Sequence, residues 1–191
     1  GSAITDQHRI CIDNIVLEKT SAPEIDVPVG KNLITNSEFE MSEDGSLAGW
    51  ENAVTAPGDA TFEAGDGKIT YSVENVGEAD WNIQLKQMGL SLEQGESYTL
   101  KCTLVSDVDR VVKVAVMTPS AGYAWHGGED VVLTAGEAKD ITLTITPKEE
   151  VFTDGITVDT GAGLFFSMGY VEGYTLGAHT VSISNVSFVK N

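Results

Sequence analysis

The sequence predicts an all-β fold, a two-sheet antiparallel β-sandwich of the jelly-roll type. Three observations carry that reading. About ten short apolar or alternating runs recur with Gly-containing turns between them, the spacing of a sandwich. No stretch keeps an apolar stripe at roughly 3.6-residue spacing over ten or more residues, so no substantial helix is expected. Finally, 41% of the chain is hydrophobic and 20 of its 191 residues are Gly, which suits a globular, turn-rich domain. That length fits one domain of about 150 residues with an appendage.

The elements follow in order. Residues 10–18 are a β-branched apolar run and read as a strand. Residues 20–31 carry Pro23 and Pro28, show no periodicity and read as a linker. Residues 32–40 form a short strand and turn, and residues 42–49 a polar loop with Trp50 at its end. Short strands follow at 61–62, 68–73 and 81–86, with turns at Gly65-Asp66-Gly67 and around Gly77. A turn region at 89–95 leads to strands at 98–105, 111–117, 131–133, 140–146, 164–168 and 181–189.

Residues 79–86 organise the rest. Trp81, Ile83 and Leu85 alternate with Asn82, Gln84 and Lys86. That period places the apolar set toward a core and the other set on an outer face. Two side-chain amides beside aromatic rings suit a neutral, hydroxyl-rich ligand, because each amide both donates and accepts. The plainer alternative is two ordinary solvent-facing amides.

Residues 10–19 and 181–190 share the frame apolar-x-Ile-x-Asn-apolar-x-apolar-x-Lys. The second copy closes a domain. The first therefore reads as the closing strand of a preceding, truncated module, so that residues 32–191 are one unit of a tandem array. The opening Gly1-Ser2 reads as a cloning remnant, and residues 1–19 hold that remnant plus the severed strand. An apolar strand without its own module is an edge-pairing element, which adds to a sheet edge of its own domain or, the slightly preferred route, to a neighbouring chain by strand exchange.

The net charge is −18 from 11 basic and 29 acidic residues. That opposes nucleic-acid binding, which requires Lys and Arg to neutralise phosphates. No apolar run approaches the roughly 20 residues of a membrane helix. Two cysteines, Cys11 and Cys102, are too few for a disulfide framework. Cys102 shares parity with Tyr98, Leu100 and Leu104 and reads as a small core residue; nothing in the spacing supports a Cys11–Cys102 bridge.

The order of short motifs resembles a known family. Asn32-Leu33-Ile34-x-Asn36-x-x-Phe39-Glu40, Gly49-Trp50, Trp81-x-x-Gln84-Leu85, Gly95-x-x-Tyr98, Phe166-x-Met168-Gly169 and Ile183-x-Asn185-Val186 occur in sequence. Together they resemble carbohydrate-binding modules of families 4, 9, 16 and 22, over residues 32–190. The resemblance implies a jelly roll appended to secreted or cell-surface bacterial glycoside hydrolases. It implies plant cell-wall β-glycan chains of the β-1,4-glucan, mannan or xylan type, bound in a groove across one sheet. Often there is one structural calcium ion. It places Trp50, Asn82, Gln84, Tyr123, Trp125 and Ser167 at the sugar, with Ser167 standing where some members carry glutamine. It places Glu40 at a calcium ligand. The second ligand is commonly an Asp that here is Ser184, while the N-terminal copy keeps Asp13.

The residues leave some roles open. Trp50 lines the groove or plugs one end of the core. Trp81 has core parity. His126 reads as a loop residue without neighbours at metal spacing. Residues 152–163 read as an acidic, Gly-containing loop that could hold calcium. No nucleophile motif, P-loop or zinc signature is present, so an enzyme is not expected. The alternative to sugar binding is a structural spacer or adhesion domain on the same fold.

Overall fold

The structure is a computed structural model, and it describes residues 25–191. The strand expected at 10–18, the first part of the expected linker, Cys11 and Asp13 lie outside the described residues. Ten strands follow in the described part: β1 (Glu51–Val54), β2 (Asp59–Gly65), β3 (Lys68–Asn75), β4 (Ile83–Glu93), β5 (Tyr98–Ser106), β6 (Arg110–Thr118), β7 (Ala124–Leu133), β8 (Lys139–Ile145), β9 (Val158–Ser167) and β10 (His179–Lys190). They make two five-stranded sheets. The front sheet runs β1-β4-β9-β6-β7 and the back sheet β2-β3-β10-β5-β8. Every paired strand is antiparallel to its neighbours. This is the expected sandwich. Among the described residues no helix is long and apolar enough to cross a membrane.

Alternation sets the core. Ile69, Tyr71 and Val73 of β3, Leu100, Cys102 and Leu104 of β5, and Val181 and Ile183 of β10 meet Ile83 and Leu85 of β4, Val112, Val114 and Val116 of β6, and Leu164 and Phe166 of β9. Each fully buried side chain of this size is worth roughly 1.5–3 kcal/mol. Tyr98 stacks on Phe188 at 5.1 Å between ring centres. Cys102 is buried, and that burial pushes its thiol up to about 12.

Two long strands exceed the expectation. β4 continues through the expected turn at 89–95, because Leu90 and Leu92 keep burying apolar surface. A register shift at Gly89, which has φ +82°, restores their inward parity. β9 occupies part of the expected loop 152–163, with Gly161 and Gly163 inside it. The end of the expected linker, residues 25–31, lies against the sandwich. Val27 is buried, its N–H donates to Glu93 Oε1 at 2.9 Å, and the N–H of Gly30 donates to Lys190 O at 3.1 Å. Asn32 fastens the same segment to β10: its Oδ1 accepts the N–H groups of Ile34 (3.1 Å) and Phe188 (2.9 Å), and its Nδ2 donates to Val186 O at 3.3 Å.

Candidate functional site: the outer face of the front sheet

Register across β4, β9, β6 and β7 sorts the outer face into rows. One row is Gln84, Ser167, Lys113 and Asp130. The next is Lys86, Phe165, Ala115 and Gly128, and the third is Met88, Gly163, Met117 and Trp125. A polar row therefore runs parallel to an apolar one, with small residues and a nearly buried Phe165 between them. The glycines shape this floor. A Cβ on Gly163 would lie 2.5 Å from Met88 Sδ and 3.1 Å from Phe165 Cε2. A Cβ on Gly128 would lie 2.6 Å from Trp125 Cζ2. The missing side chains are what allow Met88 and the indole to lean over the strands.

In the polar row, Gln84 Nε2 donates to Ser167 Oγ at 2.9 Å. Lys113 pairs with Asp80, and Lys86 pairs with Glu51 at 2.9 Å. The Asp80 carboxylate is the main cause that holds the Lys113 ammonium above its ordinary range. Both lysines of this face thus hold a carboxylate, and the surface offers the Gln84 amide, propped by the buried Ser167 hydroxyl, and rings rather than free cations.

Three of the expected sugar-contacting residues share this face: Gln84, Ser167 and Trp125. The indole of Trp125 is 40% exposed. Tyr123 stands beside it at the β6–β7 turn, 62% exposed with φ +62°. A tyrosine in the left-handed region is uncommon, and such strain gathers at binding sites.

Two expected residues are placed elsewhere. Trp50 is only 8% exposed and belongs to the core. Its ring packs on Phe39 (5.2 Å) and Phe166 (6.3 Å), and its Nε1–H donates to Asn36 O at 3.0 Å. The ring is covered and its donor is used, so the core reading of Trp50 replaces the groove reading. Asn82 is 5% exposed, and its amide is a structural tie. Oδ1 accepts the N–H groups of Glu78 (2.9 Å) and Ala79 (2.8 Å), while Nδ2 donates to Thr55 O at 3.0 Å. The cause is a 3-10 turn at Asp80–Asn82 just before β4, which breaks the period-two alternation.

The same turn expels Trp81, expected in the core, to 61% exposure. It is nevertheless held on a fixed mount: Asp80 is bound to Lys113, Gly169 N–H donates to Asp80 O at 2.9 Å, and Tyr170 N–H donates to Ala79 O at 3.0 Å. Tyr170, also exposed, is joined to the same turn through its backbone. Sequence reasoning missed both as surface aromatics. The signal that finds Trp81 is the sequence Gly77-Glu78-Ala79-Asp80, a turn composition running up to it.

His126 also departs from its expected place. It lies within β7 and is buried. Lys148 N–H donates to its Nδ1 at 3.0 Å, so Nε2 carries the proton and donates to Thr118 Oγ1 at 2.8 Å. The Thr118 hydroxyl in turn donates to the Asp159 carboxylate. Burial is the largest influence on the imidazole and holds it below the ordinary histidine range, against the pull of Asp159 and Glu150.

At Glu40, where the resemblance implies a calcium ligand, a side-chain amide already makes the local connections. The nearby carbonyls of Glu40 and Ala48 already accept from Asn36 Nδ2 at 2.9 and 3.3 Å. Among the described residues no three His, Cys, Asp or Glu side chains come together in a way that could hold a metal.

An open antiparallel sandwich with rings and thioethers beside a polar row across one sheet suits a ligand-binding module. The chain belongs to the CBM 4/9 carbohydrate-binding domain family, whose profile matches residues 31–160. It is therefore a sugar-binding, non-catalytic kind of domain. Its fold is similar to a solved CBM4 structure, with TM-score 0.65 and 19% identity over 83% of this chain and 99% of that one. It is similar to the N-terminal cellulose-binding domain of Cellulomonas fimi β-1,4-glucanase C, with TM-score 0.59 and 20% identity over 84% of this chain and 98% of that one. A third similar fold is the CBM22-2 xylan-binding domain of Paenibacillus barcinonensis Xyn10C, with TM-score 0.50 and 12% identity over 78% and 96%. No curated protein matches the chain in sequence.

Proposed function

We propose that the chain binds single, soluble or amorphous plant cell-wall β-glycan chains of the β-1,4-glucan, mannan or xylan type along the outer face of the front sheet. The observation that carries this is Trp125. Its indole rests over Gly128 and presents its free side beside Met117, with the Gln84–Ser167 pair on the same face. An apolar wall with a few placed polar groups is how small-ligand sites combine affinity and orientation. A ring accepts the C–H face of a pyranose, while the Gln84 amide, oriented by the buried Ser167, meets its equatorial hydroxyls. Trp81 and Tyr170 extend the aromatic surface toward the β3–β4 end.

Five strands at about 4.8 Å spacing make a face about 19 Å wide, room for several sugar rings end to end. A neutral glycan suits it, since the chain carries net charge −18 and both lysines of the face are already paired. Similar folds that bind cellulose and xylan support the ligand class. In this reading the module belongs to a secreted bacterial glycoside hydrolase and holds the enzyme at its substrate. A tandem neighbour, suggested by the repeated strand motif, raises avidity through effective concentration.

The test is affinity electrophoresis against soluble β-1,4-glucan, mannan, xylan and β-1,3-glucan, with wild type beside Trp125→Ala, Trp81→Ala and Gln84→Ala. Retardation of wild type by a β-1,4-glycan, relieved in the variants, is expected. Retardation by none of them overturns the proposal and leaves a structural spacer.

A further inference from the structure

The pairing of β6 with β7 slips by one residue beside Trp125. Val116 opposes Gly127, but Met117 opposes Trp125, so His126 is an extra residue on β7. Such a bulge changes which face the next side chain points to. Without it, Met117 would oppose His126, the outer face would carry an imidazole, and the indole would turn inward. With it, Trp125 joins Met117 and Met88 outside and His126 turns in. The inward ring is saturated by hydrogen bonds from three elements: Lys148 N–H to Nδ1, Nε2–H to Thr118 Oγ1, and Thr118 to Asp159, whose Oδ1 also accepts Gly161 N–H at 2.8 Å. Gly127 makes room for the arrangement, since a Cβ there would lie 2.8 Å from Ile145 Cδ1.

We propose that His126 is the positioning residue of the sugar site: its buried network with Thr118, Asp159 and the Lys148 backbone holds the β7 bulge that presents Trp125, and makes that presentation depend on pH. Protonation at Nδ1 removes the acceptor used by Lys148 N–H and sets two donors against each other. The charged groups facing the ring are Asp159 on β9, Glu150 in the turn that follows β8, and Lys148. The two carboxylates favour the imidazolium and Lys148 opposes it, while burial opposes it most. The bulge therefore holds at neutral pH and loosens on acidification.

The consequence for ligand rests on the β-glycan reading, but the presentation of Trp125 does not, and the test separates them. In the ligand-free full chain, the Trp125 indole N–H resonance, assigned by its loss in Trp125→Phe, is followed by NMR as pH falls through and below the histidine range. It is expected to move, and the movement is expected to vanish in His126→Gln, which keeps a donor and an acceptor but does not titrate. Cellopentaose, xylopentaose and mannopentaose are then titrated into the same proteins. Wild type is expected to lose about tenfold in affinity on acidification, the scale of a lost ring contact, and His126→Gln to lose much less. His126→Ala is expected to shift the Trp125 signal at neutral pH; should it fail to fold, the wild-type and His126→Gln titrations decide. A Trp125 resonance that ignores pH overturns the proposal, as does one that responds equally in His126→Gln. A responding resonance with no binding of any oligosaccharide overturns the β-glycan reading and leaves the positioning role standing.

Discussion

Trp125 and Gly128 form one unit: the indole Cζ2 occupies space that a side chain on Gly128 would take, 2.6 Å from where its Cβ would lie. The ring is backed by main chain, so its presented side is fixed without a side-chain neighbour behind it. The same hypothetical Cβ would also lie 2.4 Å from Val114 O, a backbone atom that cannot step aside. Trp125→Ala is expected to weaken glycan binding about tenfold or more and leave stability nearly unchanged, because the ring is half exposed. Gly128→Ala is expected to weaken binding and also to destabilise, displacing the indole and costing about 1–3 kcal/mol as an overpacked site. Calorimetric titration beside urea unfolding checks the pair. A Gly128→Ala protein as stable as wild type would show that the strand relaxes and that the backing is not tight.

Trp50 carries the opposite expectation. Packed between Phe39 and Phe166 with its N–H on Asn36 O, it is a core ring. Trp50→Ala should cost about 3–5 kcal/mol, the usual range for emptying an aromatic site. Trp50→Phe should cost less, losing one hydrogen bond and part of the volume. Denaturant midpoints measure both. A Trp50→Ala variant with wild-type stability but no sugar binding would return Trp50 to the groove.

Arg110 and His179 predict an acid limb of stability. Arg110 is fully buried and meets His179 Nε2, Met168 O and Gly169 O, with no carboxylate bonded to it among the described residues. Burial pushes its guanidinium down to about 10, so it stays cationic at neutral pH. His179 Nδ1–H donates to Gly177 O at 2.7 Å, which leaves Nε2 as the acceptor that faces Arg110. Protonating Nε2 would bring two cations and two donors together. The imidazole is lowered, first by burial and then by Arg110, against the hydrogen bond to Gly177 and the charge of Asp107. Its folded value lies below the unfolded one of about 6.5, so the unfolded chain binds the proton first. This contribution is complete above that value and is lost as pH falls toward the folded value. Melting temperatures from pH 7 downward should fall more steeply for wild type than for His179→Gln; parallel curves would remove His179 from the acid limb.

Much of this arrangement was legible in the sequence where alternation was clean. Gln84 falls on the outer face because Ile83 and Leu85 flank it with apolar side chains, and the fold follows from such runs. Alternation failed where the backbone left the strand. One 3-10 turn before Ile83 exchanged the expected places of Trp81 and Asn82. One extra residue at His126 reset parity in β7, where two glycines had suggested a loop. In β9, Gly161 and Gly163 also read as loop, yet Gly163 is there because Met88 needs its space. Long-range packing decides such positions, and no local window contains it.

Asn36 supports the last prediction, which concerns the metal. The resemblance implies a calcium ligand at Glu40. Here a side-chain amide makes the local connections. Asn36, at φ +53°, donates from Nδ2 to the carbonyls of Glu40 and Ala48, and its Oδ1 accepts Glu40 N–H at 2.8 Å. Its own carbonyl accepts from Phe39 N–H (3.1 Å) and Trp50 Nε1 (3.0 Å), which links the loop to the aromatic core. A cation at those carbonyls would share them with the Asn36 amide, whose positive N–H end opposes it, with Glu40 as the carboxylate beside it. An ion that binds only the folded state raises stability by mass action. A chelator such as EDTA is therefore expected to leave the melting temperature unchanged, and added calcium likewise. Asn36→Ala is expected to cost about 1–3 kcal/mol through lost hydrogen bonds and the αL strain placed on alanine. A melting temperature that drops on chelation and recovers with calcium would overturn this and restore Glu40 as a ligand. The Asn36→Ala variant then tells whether amide and ion act at one place, since calcium would stabilise the variant more than wild type.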